Sequence, residues 1–484
     1  MLSDPLIRDG LVVFAKRACE TCVLVENEMR RASRELPGFR IISQDDPQFP
    51  SGVPDVVDDR ELDWSWAHRI EIMPTLLRFV RGEEVERVEG WDRAGWQRLT
   101  GIADIGAGLP LQRPGCGSLS TQPGTFEKLE ARHSGATWLA ARKVEYGDNI
   151  DPVEVCYERG WTDGLPVTPP TDQRVIAMLK GTSRKPDDIV GGIPPNLAEC
   201  TVEKVAINAV MAGCRPEYMP VLLAAIEAAL EPVFTLHGVL ATTYFSGPVI
   251  IVNGPVVKRI GMNSGINALG QGNRANATIG RALNLIVRNV GGGRPGEVDR
   301  ATLGSPSKYT MCFAEDESDP AWQPLAQARG IRPGVSAVTL FQGHGPEAFV
   351  DQKSRTPEAL TKSFAMSLVK IGHPKLVQSA RAIVVLSPEH YAIYREAGWD
   401  RARIERAMYE ATIRPGAELV AGADGVGEGI PASRAGEQVP KFHEDALMVV
   451  RAGGAAGLFS AILPGWLAGR SRTELQPVTK EITE

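Results

Sequence analysis

The stretch Leu11-Val12-Val13-Phe14-Ala15-Lys16-Arg17-Ala18-Cys19-Glu20-Thr21-Cys22 decides how the first part of this chain is expected to fold. An apolar run of strand length is followed by a short turn, a CxxC pair and a helical pattern. The turn places Cys19 at a helix N-terminus, where N–H groups and the helix dipole stabilise a thiolate. Cys22 lies one turn further along, close enough to form or resolve a disulfide. We predict a redox-active pair, with half of a zinc site and a coincidental spacing as the alternatives.

Length, charge and cysteine usage exclude several classes of protein. A chain of 484 residues predicts two or three domains. The net charge of −6, without a run of Lys and Arg, argues against a nucleic-acid surface. There is neither a signal-peptide pattern nor an apolar run long enough to span a membrane. Because the seven cysteines do not form a secreted disulfide framework, we expect a cytoplasmic protein with reduced thiols.

Clusters of glycine and proline divide the chain into three parts. Residues 1–105 alternate predicted strands and helices and are expected to form a small α/β domain. Residues 106–150 are rich in turn residues and are predicted to be a linker. This linker carries Cys116, whose glycine neighbours favour a loop over a packed core, although a linker cysteine without a role is the alternative. Residues 151–484 are predicted to form a larger α/β domain rich in glycine and proline, either undivided or in two lobes that separate near residue 330.

Several features of the first part occur together in one known family. The CxxC follows a strand, Met73-Pro74-Thr75 opens the next, Gly82 lies in a hairpin, and Gly90 precedes a last helix. In these features, residues 1–105 resemble thioredoxin. The resemblance implies that Pro74 is a cis-proline packed beside the two sulfur atoms.

Three positions depart from the thioredoxin pattern. Ala18 stands where the family has tryptophan, Glu20-Thr21 replaces Gly-Pro between the cysteines, and Val13 stands where a buried acid is usual. Without that acid, the usual proton acceptor for the resolving cysteine is missing. The charge of Glu20 is expected to raise the pKa of Cys19.

Glycine- and asparagine-rich loops of the larger part are predicted to build a substrate pocket. An apolar strand ends at Asn253, and such strand ends are where α/β folds place ligands. A loop dense in glycine and amide residues then runs from 260 to 281 and leads into a helix predicted from Ala282. Arg274 and Arg281 in this loop could clamp a carboxylate, while a loop of amide-capped turns without a ligand is the alternative. Further candidate groups for binding or acid–base chemistry are Asp163, Asn276, Lys308, Glu315 and His443.

A second resemblance spans residues 113–482. The stretches 163–170 and 208–218, and the terminal Ala452-Gly453-Gly454 with Phe459-Ser460, look like the family named for a Sec-Gly-Ser-Cys (UGSC) motif. Cys116-Gly117-Ser118 matches the first three motif positions, with cysteine in place of selenocysteine and Leu119 in the fourth position. The resemblance implies that Cys116 is a reactive thiol and that the CxxC is its resolving partner.

We therefore expect a thiol-dependent oxidoreductase that acts on a small polar or anionic substrate. Cys116 is the first candidate for the chemical step and Cys214 the second, and the CxxC returns that cysteine to the thiol state. We expect a redox-active disulfide and no other cofactor or metal, a thiol reductant as partner, and a homo-oligomer. The alternatives are a redox-silent lyase or hydratase and a redox-sensing binding protein. A G-x-S-x-G motif between strand and helix is absent, so the sequence does not favour a serine hydrolase.

Overall fold

The computed structural model describes residues 9–122, 125–133, 139–147, 149–467 and 475–483. The chain divides into two compact units, Met1–Trp138 and Leu139–Glu484, each of which combines helices with β-sheet. The predicted α/β class is therefore confirmed. The first unit extends well beyond residue 105, so the segment with Cys116, predicted to be a linker, belongs to it.

The first unit contains nine short strands and five helices in the residues that the structure describes. Its strands are β1 Gly10–Ala15, β2 Arg40–Ser43, β3 Val57–Asp58, β4 Ile72–Met73, β5 Thr75–Val80, β6 Glu83–Glu89, β7 Trp91–Asp92, β8 Gln112–Arg113 and β9 Cys116–Gly117. Its helices are α1 Glu20–Leu24, α2 Glu26–Glu35, α3 Asp63–Ala67, α4 Arg93–Thr100 and α5 Thr125–His133. The sequence predicts one strand over 70–80. In the structure this stretch forms two strands, β4 and β5, which are separated at Pro74 because proline has no N–H to donate to a ladder.

A five-stranded mixed sheet forms the centre of the first unit. Its strand order is β3-β2-β1-β5-β6, with β1 parallel to β2 and antiparallel to β5. Val12, Val13, Phe14 and Ala15 in β1 are all buried, so both faces of this strand are covered. A strand buried on both faces explains the continuous apolar run that precedes the CxxC.

Residues 106–122 and 125–133 pack against the rest of the first unit. Strand β8 pairs antiparallel with β7, and β9 pairs antiparallel with β4. Helix α5 contacts α3 through the rings of Phe126 and Trp66, whose centroids are 5.2 Å apart. His133 Nε2 also lies 2.9 Å from a carboxylate oxygen of Asp63.

The second unit contains the remaining elements. Its helices are α6 Pro152–Glu158, α7 Asp172–Leu179, α8 Val202–Ala212, α9 Met219–Leu230, α10 Leu236–Ala241, α11 Val256–Arg259, α12 Arg274–Asn289, α13 Leu325–Ala328, α14 Pro357–Leu368, α15 Pro388–Glu396, α16 Arg401–Ala411 and α17 Gly416–Leu419. Its strands are β10 Ile189–Ile193, β11 Ala198–Thr201, β12 Gly247–Asn253, β13 Cys312–Ala314, β14 Ala337–Gly343, β15 Glu347–Val350, β16 Ala382–Leu386, β17 Arg414–Pro415, β18 Gln438–Val439, β19 Leu447–Arg451, β20 Phe459–Pro464 and β21 Val478–Glu481.

Two four-stranded sheets of the second unit pack face to face. Their strand orders are β13-β12-β14-β21 and β15-β20-β16-β19. Ile251 and Phe341 of one sheet share a buried cluster with Val385 and Leu463 of the other. On the outer face of the second sheet, Val384 packs in a separate cluster with α14, α15 and α16, while α9 and α12 contact the first sheet. The division near residue 330 is not observed, because β12 pairs along its whole length with β14.

The two sheets repeat one arrangement of strands. In each, a central strand (β12 or β16) pairs parallel with a later strand (β13 or β19) and antiparallel with the next (β14 or β20). In the parallel pairs, Glu315 N–H donates to Val252 O, and Ala452 N–H donates to Leu386 O. Val252 and Leu386 therefore occupy equivalent positions in the two sheets.

Among the described residues, no single helix is long and apolar enough to cross a membrane. Two helical segments, Pro216–Leu230 and Pro232–Ala241, meet the length and composition criteria only when taken together, and a bend of 75° separates them.

Candidate functional site

The CxxC lies where the first strand of unit 1 ends. Cys19 is the N-cap residue of α1, and its sulfur accepts a hydrogen bond from the N–H of Cys22 at 3.4 Å. The N–H of Lys16 points at Cys22 Sγ from 3.5 Å. Both cysteine side chains are buried, with 0% exposure. The sequence therefore predicted the strand end and the helix start around this pair correctly, but it did not predict that both cysteines are completely shielded from solvent.

Cys116 lies beside Cys19. In the β4–β9 ladder, Met73 is the partner of Cys116, and the Met73–Pro74 peptide bond is cis, as expected for Pro74. Cys19 Sγ lies 3.4 Å from the carbonyl oxygen of Met73, and Cys116 packs against the buried cluster that contains Cys19. Cys116 is half-buried, whereas Cys19 and Cys22 are fully covered. It is thus the member of the trio that reaches solvent.

Three polar contacts hold residues 113–117, which we call the covering segment, against the CxxC. The ammonium of Lys16 donates to Gly117 O at 2.6 Å, and the Thr21 hydroxyl donates to Pro114 O at 2.7 Å. Arg113 forms an ion pair with Glu20 at 2.7 Å. Lys16 is not among the site residues predicted from the sequence, although it is only 7% exposed. Its position directly after a fully apolar strand was the available signal of a buried lysine.

Hydrogen bonding lowers the pKa of Cys19 to about 5. The Cys22 thiol is the strongest donor to the Cys19 sulfur, and it outweighs the burial that acts in the opposite direction. Hydrogen bonds from the Cys116 thiol and from the backbone of Cys22 and Cys116 lower the pKa of Cys19 further. The prediction that Glu20 raises this pKa is wrong, because the Glu20 carboxylate points outward, 85% exposed, and is neutralised by Arg113.

The pKa values of the other two thiols, Cys22 and Cys116, are raised. Burial, followed by the hydrogen bond to Cys19, raises the pKa of Cys22 far above its ordinary range. The hydrogen bond to Cys19, followed by burial, raises the pKa of Cys116. Near neutral pH the trio therefore holds one thiolate, on Cys19, with two thiols directed at it.

We expect one thiolate of the protein to titrate at a pH of about 5. Since the folded-state pKa of Cys19 lies below its usual 9.0, the thiolate is present above this pH and is lost as the pH falls through it. The ultraviolet absorbance of thiolate, followed across pH, measures this step. Cys19→Ser should remove it, and Cys156→Ser, which changes a buried thiol of the second unit, should not. A step that persists in Cys19→Ser would contradict the assignment.

Cys214, the second candidate nucleophile, is buried in unit 2. Its thiol donates to the carbonyl oxygen of Thr278 at 3.4 Å, and burial raises its pKa to about 12. Cys116 has the Cys19 thiolate beside it to accept its proton, whereas the Cys214 thiol donates to a backbone carbonyl, and a thiol that keeps its proton is a poor nucleophile. Nothing around Cys214 therefore supports the catalytic role expected for it.

The predicted carboxylate clamp is engaged within the protein. Helix α12 begins at Arg274 rather than Ala282, because the Asn273 side chain caps it. Arg281 forms a bidentate ion pair with Asp163 at 2.7 and 2.8 Å. Arg274 donates to the carbonyl oxygen of Gly213. Arg281 and Asp163 thus neutralise each other, and the expectation that Arg281 is open to a substrate is wrong. Arg274 is exposed, and its role as a carboxylate ligand stays a prediction.

Asn276 and Lys308 are also in structural contacts. The Asn276 amide, in the first turn of α12, bridges Asn263 and Ala268 of the preceding loop. Lys308 is paired with Asp299 at 2.6 Å. His443 is half-buried, and its backbone carbonyl oxygen accepts the N–H of Ala446, a contact that does not involve the imidazole.

Asn253 ends β12 and Glu315 follows β13, and their side chains meet in a closed cluster. The buried Glu315 carboxylate accepts hydrogen bonds from Asn253, from the indole of Trp322 and from the N–H of Leu325. Arg401, 2% exposed, completes the set at 2.6 Å. With this many donors around it, the carboxylate is a structural anchor between α16 and the first sheet.

No protein-family model matches the sequence, and no curated protein matches it significantly. Within the residues that the structure describes, no group of three or more His, Cys, Asp or Glu side chains could hold a metal ion. The thiol trio of unit 1 is therefore the candidate site with the clearest chemistry.

Proposed function

We propose that the first unit is a thioredoxin-like thiol–disulfide oxidoreductase in which Cys116, Cys19 and Cys22 form an internal relay. The single observation that carries the proposal is the placement of the half-buried Cys116 thiol against the buried Cys19 sulfur. The strand order, the N-cap position of Cys19 and the cis bond before Pro74 support the thioredoxin-like part.

The exposures of the three sulfurs define the order of the relay. An external low-molecular-weight disulfide can reach Cys116 but not the two buried sulfurs. The Cys19 thiolate accepts the Cys116 proton as Cys116 attacks, and a mixed disulfide forms while the external thiol leaves. Cys19 returns the proton to that leaving thiolate and attacks Cys116, which forms a Cys19–Cys116 disulfide and releases the second external group as a thiolate that takes its proton from water.

Cys22 completes the exchange. Its sulfur attacks Cys19, the Cys19–Cys116 bond breaks, and the Cys22 proton passes to Cys116. Two electrons have then moved from the Cys19–Cys22 pair to the external disulfide, and Cys116 is a thiol again. A thiol reductant that reduces the Cys19–Cys22 disulfide closes the cycle.

For the second unit, the small polar or anionic substrate expected from the sequence stays a prediction. The lyase or hydratase alternative gains no support from Asp163, Lys308 and Glu315, because each is held in an ion pair, and His443 stays its candidate acid–base group. The UGSC resemblance covers both units, and its Cys116 belongs to the first.

Trapping the intermediate tests the relay. In Cys22→Ser the resolving thiol is absent, so mild oxidation by a low-molecular-weight disulfide is expected to accumulate the Cys19–Cys116 bridge. In the wild type, the same treatment should end at Cys19–Cys22. Disulfide mapping by mass spectrometry distinguishes these species, with Cys156→Ser as a control that should behave like the wild type. If Cys22→Ser yields no Cys19–Cys116 bridge, the relay is wrong.

A further inference from the structure

A cavity of about 400 Å³ in the second unit lies at the ends of the parallel strands β16 and β19. Ser387 and Ser460 line it together with the glycine turn after β19 and a loop at Asn267. Its lining includes no charged side chain. Ser460 and the glycine turn belong to the stretches that resemble the UGSC family, and the relay does not use them.

Ser460 is hydrogen-bonded to a buried histidine at the wall of this cavity. Its Oγ lies 2.8 Å from His390 Nδ1, although the two residues are 70 positions apart in the chain. The N–H of Ser387 donates to the same oxygen at 3.1 Å. His390 is 0% exposed and packs against the rings of Phe349 and Phe364, which stack on each other.

The second nitrogen of His390 fixes the tautomer. Nε2 lies 3.1 Å from the carbonyl oxygen of Asp351, which can only accept, so Nε2 carries the proton. Nδ1 is then the acceptor, and the Ser460 hydroxyl donates to it. Burial lowers the pKa of His390, against the opposing influence of the Asp351 carbonyl and of the Asp351 and Glu389 charges, which favours the neutral ring. A neutral imidazole that accepts from a serine hydroxyl is the arrangement of a general base and its nucleophile.

The repeated sheet arrangement shows that the fold does not require a serine at the position of Ser460. Because Val252 and Leu386 are equivalent, the antiparallel register makes Val338 the counterpart of Ser460. Val338 is fully buried, so the first sheet fills this position with an apolar side chain. The Ser460 hydroxyl is thus a local feature of the cavity.

We propose that Ser460 and His390 form a second, hydrolytic site that takes small uncharged carboxylic esters. Ser460 Oγ attacks the ester carbonyl carbon while its proton passes to His390 Nδ1. The bond to the alcohol oxygen breaks, and the alcohol leaves with that proton. Water then attacks the acyl-serine, giving a proton to His390, and the Ser460 oxygen leaves and recovers it. The neutral lining favours an uncharged substrate, because a buried unpaired charge is costly.

A fluorophosphonate probe tests this site on the full-length wild-type protein. The probe phosphonylates activated serine hydroxyls, so we expect tandem mass spectrometry to locate it on Ser460. His390→Gln should slow this labelling by about 100-fold or more, the scale of a lost general base. The Cys19→Ser/Cys22→Ser double variant should be labelled like the wild type, which separates this site from the thiol relay.

Two outcomes would overturn the proposal. One is wild-type protein in which Ser460 stays unmodified, a result that depends on no variant. The other is a folded His390→Gln protein, checked by circular dichroism, that is labelled at Ser460 as fast as the wild type. The second outcome would make the hydrogen bond between these residues purely structural.

Discussion

Replacing Cys116 with serine is expected to slow the reaction of the protein with a low-molecular-weight disulfide by about 100-fold or more, although the CxxC is intact. Cys19 and Cys22 are fully covered, and an external disulfide could reach them only after a local opening that costs about 3 kcal/mol or more. The rate of thiol release from the disulfide measures the effect. An unchanged rate in Cys116→Ser would mean that external disulfides reach Cys19 directly.

Two neighbouring glycines of the covering segment provide a matched test of the same point. A Cβ at Gly115 would overlap Ile72 and the carbonyl group of Met73, whereas a Cβ at Gly117 would meet nothing within 4 Å. Overpacking of this kind costs about 1–3 kcal/mol, so Gly115→Ala should loosen the segment. In the Cys116→Ser background, Gly115→Ala should raise the rate of thiol release about tenfold, a factor that matches this cost of overpacking. Gly117→Ala should leave that rate unchanged. Equal behaviour of the two variants would show that the segment does not control access.

The local part of the thiol site could be predicted from the sequence. An apolar run, a turn and a CxxC specify the strand end and the helix start, and the resemblance to thioredoxin implied the cis bond at Pro74. The contact between Cys116 and Cys19 depends on a ladder of two residues, β9 against β4. So short a strand leaves no periodicity in the sequence, and the glycines that allow its close approach look like those of a linker.

The candidate site of the second unit was predicted less well, for a different physical reason. Asn, Arg and Asp residues near strand ends were interpreted as open to a ligand, but Arg281 and Asp163, 118 residues apart, neutralise each other. A single sequence gives the donors and acceptors of a loop without their partners. The Ser460–His390 pair was missed for the same reason, since neither residue lies in a motif and only the packing of α15 on β20 joins them.

Replacing Arg401 with methionine is expected to destabilise the second unit by about 3–5 kcal/mol, the usual cost of leaving a buried charge without its partner. Arg401 donates to Glu315 at 2.6 Å and to the carbonyl oxygen of Gln323, and its guanidinium stacks on Trp322. Methionine keeps much of the apolar contact and removes the charge. The measurement is the free energy of unfolding of this unit in urea, followed by circular dichroism.

Helix α16 offers a matched control for this charge. Arg406 is 69% exposed and lies 3.8 Å from the exposed Glu444, so Arg406→Met should cost less than about 1 kcal/mol. Adding Glu315→Gln to Arg401→Met removes the unpaired charge and should recover part of the loss. If Arg401→Met costs no more than Arg406→Met, the buried cluster does not stabilise the second unit.

The loss in Arg401→Met should also depend on pH. Burial raises the pKa of Glu405 to about 7 in the folded protein, against an opposing contribution from Arg401, whereas its usual value is 4.5. A carboxyl group with a raised folded-state pKa favours folding while it is protonated, and its ionisation lowers stability as the pH rises between these values. Without Arg401 the folded-state pKa rises further, so the difference in unfolding free energy from the wild type should widen above pH 7. A difference that stays constant across this range would show that Arg401 does not influence Glu405, and that the cost of its loss comes from Glu315 and from packing.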